Sequence, residues 1–212
     1  MKRILILAAA LALGTTAAFG QIALTVQGAF YGDKNTETAE SIFERFQYGE
    51  GLFYGANIEV LLDKLAIGAG ANLSFYEQHV FGDVYFPMVD YDIMAYAAFH
   101  VLGSKAFLDP FVEAGLGYMA QDYAATEYEG YQIDPDPNNP LLASTYVFAG
   151  AGVGINLGSI GAFVKATYNF PMGDPIMAET EYYYLDGTQH EYELNPYPIS
   201  NLKVSLGVKF IF

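Results

Sequence analysis

The stretch Lys203–Phe212, K-V-S-L-G-V-K-F-I-F, decides the fold. With Leu202 before it, one alternate row reads Leu202, Val204, Leu206, Val208, Phe210, Phe212, and the other reads Lys203, Ser205, Gly207, Lys209, Ile211. A period of two is the mark of a β-strand with unlike faces. Soluble domains commonly fray into polar residues at their ends. An oily row that runs to a final phenylalanine needs a continuous apolar surface to lie against.

The same pattern recurs in seven more segments. Their oily rows begin with Ile22-Leu24-Val26, Leu52-Tyr54-Ala56, Leu65-Ile67-Ala69, Val89-Tyr91-Ile93, Leu108-Pro110-Val112, Val147-Ala149-Ala151 and Ala162-Val164-Ala166. No segment between them has a convincing helical period, although Thr38 to Phe46 could form one short helix. The connections alternate between long, at about 32–50, 77–88, 121–144 and 171–197, and short, at Asp63-Lys64, Leu102 to Phe107 and Gly158-Ser159. An antiparallel up-and-down meander with all long loops at one end produces this order. An even number of strands places both ends of the meander on the short-turn side.

The second row decides which way the oily row faces. It carries Asn57, Glu59, Asp92, Glu113, Lys165, Thr167, Lys203 and Lys209, interleaved with Gly68, Gly70, Gly115, Gly117, Gly150, Gly152 and Gly154 and with Phe53, Tyr96, Phe111, Phe148 and Phe163. A water-facing row, as in a β-sandwich or a lipocalin-like barrel, rarely needs so many glycines. The inside of an eight-stranded barrel does, because only interlocking small and large side chains fit there. The oily row then faces lipid. Tyr54, Tyr91, Tyr118 and Tyr168 at the loop end, and Phe99, Phe210 and Phe212 at the turn end, supply two interfacial girdles.

Composition agrees. Lys2-Arg3, the apolar run Ile4 to Leu13 and Ala18-Phe19-Gly20 fit a cleavable export leader over 1–20, with the barrel over 21–212. The apolar run is too short to span a bilayer. The chain has no cysteine, which excludes disulfides, thiolate chemistry and a lipid-bearing N-terminal cysteine. There are 9 basic residues, two of them in the leader, against 24 acidic ones. Such a chain is not a nucleic-acid binder.

The terminal phenylalanine after alternate apolar residues resembles the C-terminal assembly signal of bacterial outer-membrane barrels, which marks Phe210 and Phe212. Phe111-Val112-Glu113-Ala114-Gly115-Leu116-Gly117-Tyr118 looks like that group's inner-strand phrasing. The 21–212 segment thus resembles small eight-stranded bacterial outer-membrane β-barrel proteins of the OmpA, OmpX and OmpW kind. The resemblance implies an all-β, eight-stranded antiparallel transmembrane β-barrel in the outer membrane, with long extracellular loops, short periplasmic turns and both mature termini periplasmic. It also implies the barrel assembly machinery and outer-membrane lipids as partners. No peptidoglycan-binding domain follows the barrel, so a cell-wall role is not carried over.

Four lumenal charges, Glu59, Glu113, Lys165 and Lys209, fall at similar counts from their turns and are expected to form an ion-pair network. That network either plugs the lumen or gates a narrow porin-like channel. Asp134, Asp136 and Asn138 alternate as in some calcium loops, but the glycine and distal glutamate of an EF-hand are missing; a proline-stiffened turn explains them equally. No other metal site and no cofactor is indicated. In Glu179 to Leu194, Asp186-Gly187 predicts a hairpin beyond the membrane. Tyr182, Tyr183, Tyr184, His190 and Tyr192 make it rich in residues of binding surfaces, for an extracellular partner; a rigid acidic cover is the alternative. No Ser-His-Asp grouping assembles at one depth, so catalysis, including lipid modification, is not expected. The expected role is non-enzymatic: a surface-exposed structural or interaction protein.

Overall fold

The computed structural model describes residues 21–31, 52–81, 84–124, 127–128, 131–134, 141–174, 176–177, 181–185, 188–192 and 202–212. The leader segment and the 38–46 helix expectation lie outside these residues. Eight long strands form the body: β1 (Gln21–Tyr31), β2 (Leu52–Leu62), β3 (Leu65–Phe81), β4 (Val84–His100), β5 (Leu108–Tyr123), β8 (Leu142–Leu157), β9 (Ile160–Pro171) and β13 (Leu202–Ile211). Five short strands lie in the long connections: β6 (Glu127–Tyr128), β7 (Tyr131–Asp134), β10 (Ile176–Met177), β11 (Glu181–Leu185) and β12 (Thr188–Tyr192).

Every neighbouring pair of the eight is antiparallel, and the sheet closes where β13 meets β1, from Ala23↔Ile211 to Tyr31↔Lys203. The amide of Phe212 donates to the carbonyl of Ile22 at 2.9 Å and completes the seam. A circuit that starts at Gln21 passes through Leu61, Ala66, Ala98, Glu113, Gly150, Thr167 and Lys203 and returns to β1 at Tyr31. It lands ten residues further along the same strand. A stagger of that size over eight strands tilts them by about 40° and leaves an interior wide enough only for side chains.

The short turns follow from local chemistry. Asp63 and Gly158 open their two-residue turns with φ of 59° and 73°, a left-handed conformation that aspartate and glycine tolerate best. At the opposite end the expected loop at 77–88 is absent: β3 and β4 continue to Phe81 and Val84 and are joined by two residues. Pairing continues there because nothing in Glu77–Phe81 or Val84–Met88 breaks it, and Pro87 sits where the ladder tolerates a missing donor. β3, β4, β5 and β8, at 16 or 17 residues, exceed the 9–11 that a bilayer requires and raise one wall of the barrel beyond it.

The two rows separate as the alternation requires. Val26, Ile58, Ile67, Ile93, Leu116, Val164 and Leu206 are exposed on the outside, while Thr25, Asn57, Asn72, Asp92, Glu113, Lys165 and Ser205 are each at most 5% exposed inside. This is the inverse of a soluble barrel and is the arrangement that hydrocarbon demands, with strand pairing carried all round the wall. Among the described residues no helix is long and apolar enough to cross a membrane; the crossing is made by strands.

Inside, glycine and aromatic positions interlock. A Cβ on Gly68 would stand 2.6 Å from Cζ of Tyr96, and one on Gly152 would stand 2.5 Å from Cζ of Phe111. Val164→Arg, on the outer row at mid-strand, is expected to lower barrel stability by about 2–4 kcal/mol. Gly152→Arg should instead prevent closure by overfilling the lumen. Denaturant unfolding in lipid vesicles and heat-modifiable gel migration check both. A Val164→Arg barrel as stable as the parent would contradict the outward assignment.

Candidate functional site

The inward row of β4 gives a section through the lumen: Phe86, Met88, Asp90, Asp92, Met94, Tyr96, Ala98 and His100, from the loop end to the turn end. Polar and apolar layers alternate along it, and each polar layer is held by strands far apart in sequence.

The outermost polar layer centres on Asp90, which accepts hydrogen bonds from the Tyr76 hydroxyl at 3.1 Å and from Nε2 of Gln121 at 3.4 Å. Next comes Asp92, fully buried. Lys203 Nζ pairs with its Oδ2 at 3.1 Å, and the same oxygen accepts from the Tyr31 hydroxyl at 2.7 Å and from Asn72 Nδ2 at 2.9 Å. The Tyr146 hydroxyl donates to Oδ1. A relay continues from Asn72 through Gln27 to Asn57, at 2.8 and 3.2 Å. Four donors around one carboxylate are what an ionised group requires in so dry a place. The ammonium of Lys203 is covered by the rings of Tyr31 and Phe148, at 5.2 and 5.8 Å.

Below this layer a septum crosses the barrel. Ala29, Tyr31, Phe53, Met94, Tyr96, Met119, Tyr146 and Phe148 form one buried apolar cluster. Tyr96 and Phe148 face each other at 6.4 Å, and Tyr31 meets Phe53 edge-on at 4.8 Å. The septum fills most of the section, and the Asn72–Gln27–Asn57 relay passes beside it into the space below.

The turn-side chamber contains the charges that the sequence singled out. Lys165 pairs with Glu113 at 2.9 Å and lies 5.3 Å from the Tyr96 ring centre. Glu59 accepts the Tyr96 hydroxyl proton at 2.7 Å. Lys209 pairs at 3.4 Å not with either glutamate but with Asp109, whose carboxylate also meets His100 Nδ1 at 2.8 Å. The four expected residues thus line one cavity, together with Thr25, Asn57, Ala98, His100, Phe111 and Phe163, but they do not form a single network. The cavity has room for a water molecule or two. Ala23, Leu61, Ala66, Ala98 and Ile211 pack as an apolar floor. Across the turn, Asn156 Nδ2 donates to the carbonyls of Ser104 and Ala106 at 3.2 and 2.9 Å.

Sequence reasoning placed Asp92 and Lys203 on the inner row without assigning them partners, and it passed over Asp109. The signal available was a lumenal lysine, Lys203, with no acid at its own depth on the neighbouring strands. Its partner lies across the barrel.

Outside the membrane the long connections pair with one another. β11 and β12 form the expected hairpin, from Glu181↔Tyr192 to Leu185↔Thr188. β7 adds to β11, and β6 adds to β7, giving a four-stranded sheet in the order β12-β11-β7-β6. The third and fourth long loops therefore build one surface. Directly paired positions share a face. Register places Tyr183, His190 and Tyr192 with Tyr131 and Ile133 on one face, and Tyr182 and Tyr184 with Asp134 and Glu191 on the other. The five candidate binding residues are divided between two faces. Asp134 stands at the end of β7 opposite Tyr182, while Asp136 and Asn138 lie outside the described residues. Phe210 pairs with Leu24 and Ile160 at the seam, and Phe212 is exposed at the turn-side rim.

The Asp92 cluster yields a directional expectation. Asp92→Leu strands a buried ammonium and should cost about 3–5 kcal/mol of barrel stability. Lys203→Met leaves Asp92 its three neutral donors and should cost clearly less, by the same unfolding measurement; equal losses would mean that the lysine, not the donor shell, carries the site.

No family model matches the chain, and no curated protein does. Among solved structures, it is similar to the N-terminal β-barrel domain of Pseudomonas aeruginosa OprF, at 14% identity over 92% of this chain and 98% of that one, with a TM-score of 0.47. Neisserial surface protein A is 12% identical over 91% and 97%, with a TM-score of 0.48. The attachment invasion locus protein Ail of Yersinia pestis is 12% identical over 91% and 97%, with a TM-score of 0.39. At these scores the likenesses carry no argument about activity, and the eight-stranded closed barrel stands on its own strand register.

Proposed function

We propose that this protein is an integral outer-membrane β-barrel with a closed lumen, non-enzymatic, whose work is done by the surface that its extracellular loops build. The observation that carries the reading is the septum of Phe53, Met94, Tyr96 and Phe148, which fills the section between two polar layers while the outer wall is apolar throughout. A transport protein needs an open polar path; here the polar relay beside the septum is made of side chains bonded to one another, which favours a lumen used for support.

The four-stranded loop sheet supports an interaction role. Its described strands carry Glu127, Asp134, Glu181 and Glu191, six tyrosines and no lysine or arginine. Rigid tyrosines on a paired sheet make contact at low entropic cost, as in many binding surfaces. Gln21 and Phe212, the two ends of the barrel, lie on the side of the short turns, which in this reading is the periplasm. Outer-membrane lipids cover the oily wall, and the barrel assembly machinery recognises the strand that ends at Phe210 and Phe212.

The lumen also bears on enzymatic readings. The described histidine–acid pair, His100 with Asp109, is sealed behind the wall, away from the face that an acyl chain would reach. A narrow gated channel is the second reading, favoured by the buried Lys165–Glu113 pair below the septum.

Refolded protein in a planar bilayer is expected to be silent, whereas a Tyr96→Gly/Phe148→Gly double variant should conduct. Steady unitary conductance of the parent, abolished by Lys165→Ala, would replace the closed-lumen reading with the channel. Substituting a short glycine-serine turn for residues 181–192 should leave heat-modifiable folding intact and abolish surface binding to host or matrix material.

A further inference from the structure

We propose that the turn-side chamber is a proton-binding site, with Nε2 of His100 as the base. Three observations meet there. His100 is 2% exposed, and its Nδ1 is committed to Asp109, at 2.8 and 3.0 Å from the two carboxylate oxygens. A carboxylate accepts, so Nδ1 carries the hydrogen and Nε2 keeps a lone pair. Among the described residues that Nε2 has no hydrogen-bond partner, yet His100 lines the cavity. Asn57 Oδ1, 3% exposed in residue terms and lining the same cavity, is also without a partner.

The charge count points the same way. Below the septum the described lumen holds three carboxylates, Glu59, Asp109 and Glu113, against two ammoniums, Lys165 and Lys209. The half-buried Glu59 is held by the Tyr96 hydroxyl instead of by a cation, and among the described groups the chamber is short of one positive charge. Protonating His100 supplies it: Nε2 gains a hydrogen and becomes a donor toward the chamber acceptors, while Nδ1 keeps its bond to Asp109.

Among the described residues, the charged groups around His100 come from several strands, with Lys105 exposed in the turn that follows β4. Asp109 and Glu113 come from β5, Glu59 from β2, Lys165 from β9 and Lys209 from β13. Beyond the rim are Asp63 and Lys64, both exposed; the Lys64 carbonyl accepts the His100 backbone N–H at 2.7 Å. The ring of Phe111 covers His100 at 5.6 Å. The chamber is therefore an acid-responsive part of the plug on the turn side of the barrel.

The test is nitrogen-15 NMR of the histidine rings in refolded 21–212 protein, in detergent micelles, with His100→Gln assigning the signal among three histidines. At pH 8 the account expects His100 with hydrogen on Nδ1 and none on Nε2. Acidification to pH 5 should convert it to the imidazolium and shift the Lys165 and Lys209 ammonium signals together. Asp109→Asn should weaken the preference for the Nδ1–H form. Should His100→Gln not fold, specific labelling of the parent still follows the titration. A hydrogen on Nε2 at pH 8, or a ring neutral down to pH 5, would overturn the proposal. So would a lysine shift produced by sodium chloride but not by choline chloride while His100 stays neutral, since the missing charge would then be a metal cation.

Discussion

Hydrocarbon offers a peptide group no hydrogen-bond partner, and that single constraint organises the molecule. A sheet can exist there only if it has no edge. The seam between β1 and β13 removes the last one, and the pairings in the other seven interfaces follow from it. Closure with a ten-residue stagger fixes the strand tilt and the narrow bore. The bore in turn dictates the inner sequence, since each ring, such as Tyr96 or Phe111, must have a glycine such as Gly68 or Gly152 beneath it.

Filling so narrow a space with charge is not a route to stability by itself, because burying ions costs more than a pair returns unless hydrogen bonds complete the shell. The lumen meets that condition unevenly. Asp92 has four donors and belongs to a finished cluster. The turn-side chamber is less complete, with open acceptors on His100 and Asn57 beside the Lys165–Glu113 pair. The aromatic septum narrows the interior between them, with the Asn72–Gln27–Asn57 relay alongside. The third and fourth long loops add a second, four-stranded sheet to the barrel.

Much of the fold was legible in the sequence because alternation is local. Val204-Ser205-Leu206-Gly207 states which residues share a face whatever the partner strand is. Three features were hidden, each for a physical reason. The 77–88 stretch lacks the oily row once it leaves the bilayer, so its strands looked like loop although their pairing continues. The loop sheet joins Asp134 to Tyr182 across the whole of β8 and β9, a contact that no local pattern encodes. Of the ion pairs, Lys165–Glu113 forms, but the partners of Lys209 and Glu59 could not be read from counts along the strands. In a staggered barrel equal counts are not equal heights, and Lys209 therefore finds Asp109 while Glu59 finds Tyr96.

The central claim is the direction of the two rows, and the absence of tryptophan from the chain allows it to be read residue by residue. Single tryptophans at Leu206 or Ile67, outer positions that are 67% and 62% exposed, and at Phe53, an inner one that is 2% exposed, would be placed in vesicles of brominated lipid. Strong quenching of Leu206→Trp and Ile67→Trp with little quenching of Phe53→Trp is the expected result. Quenching at position 53, with the outer positions bright and water-exposed, would contradict the barrel described above.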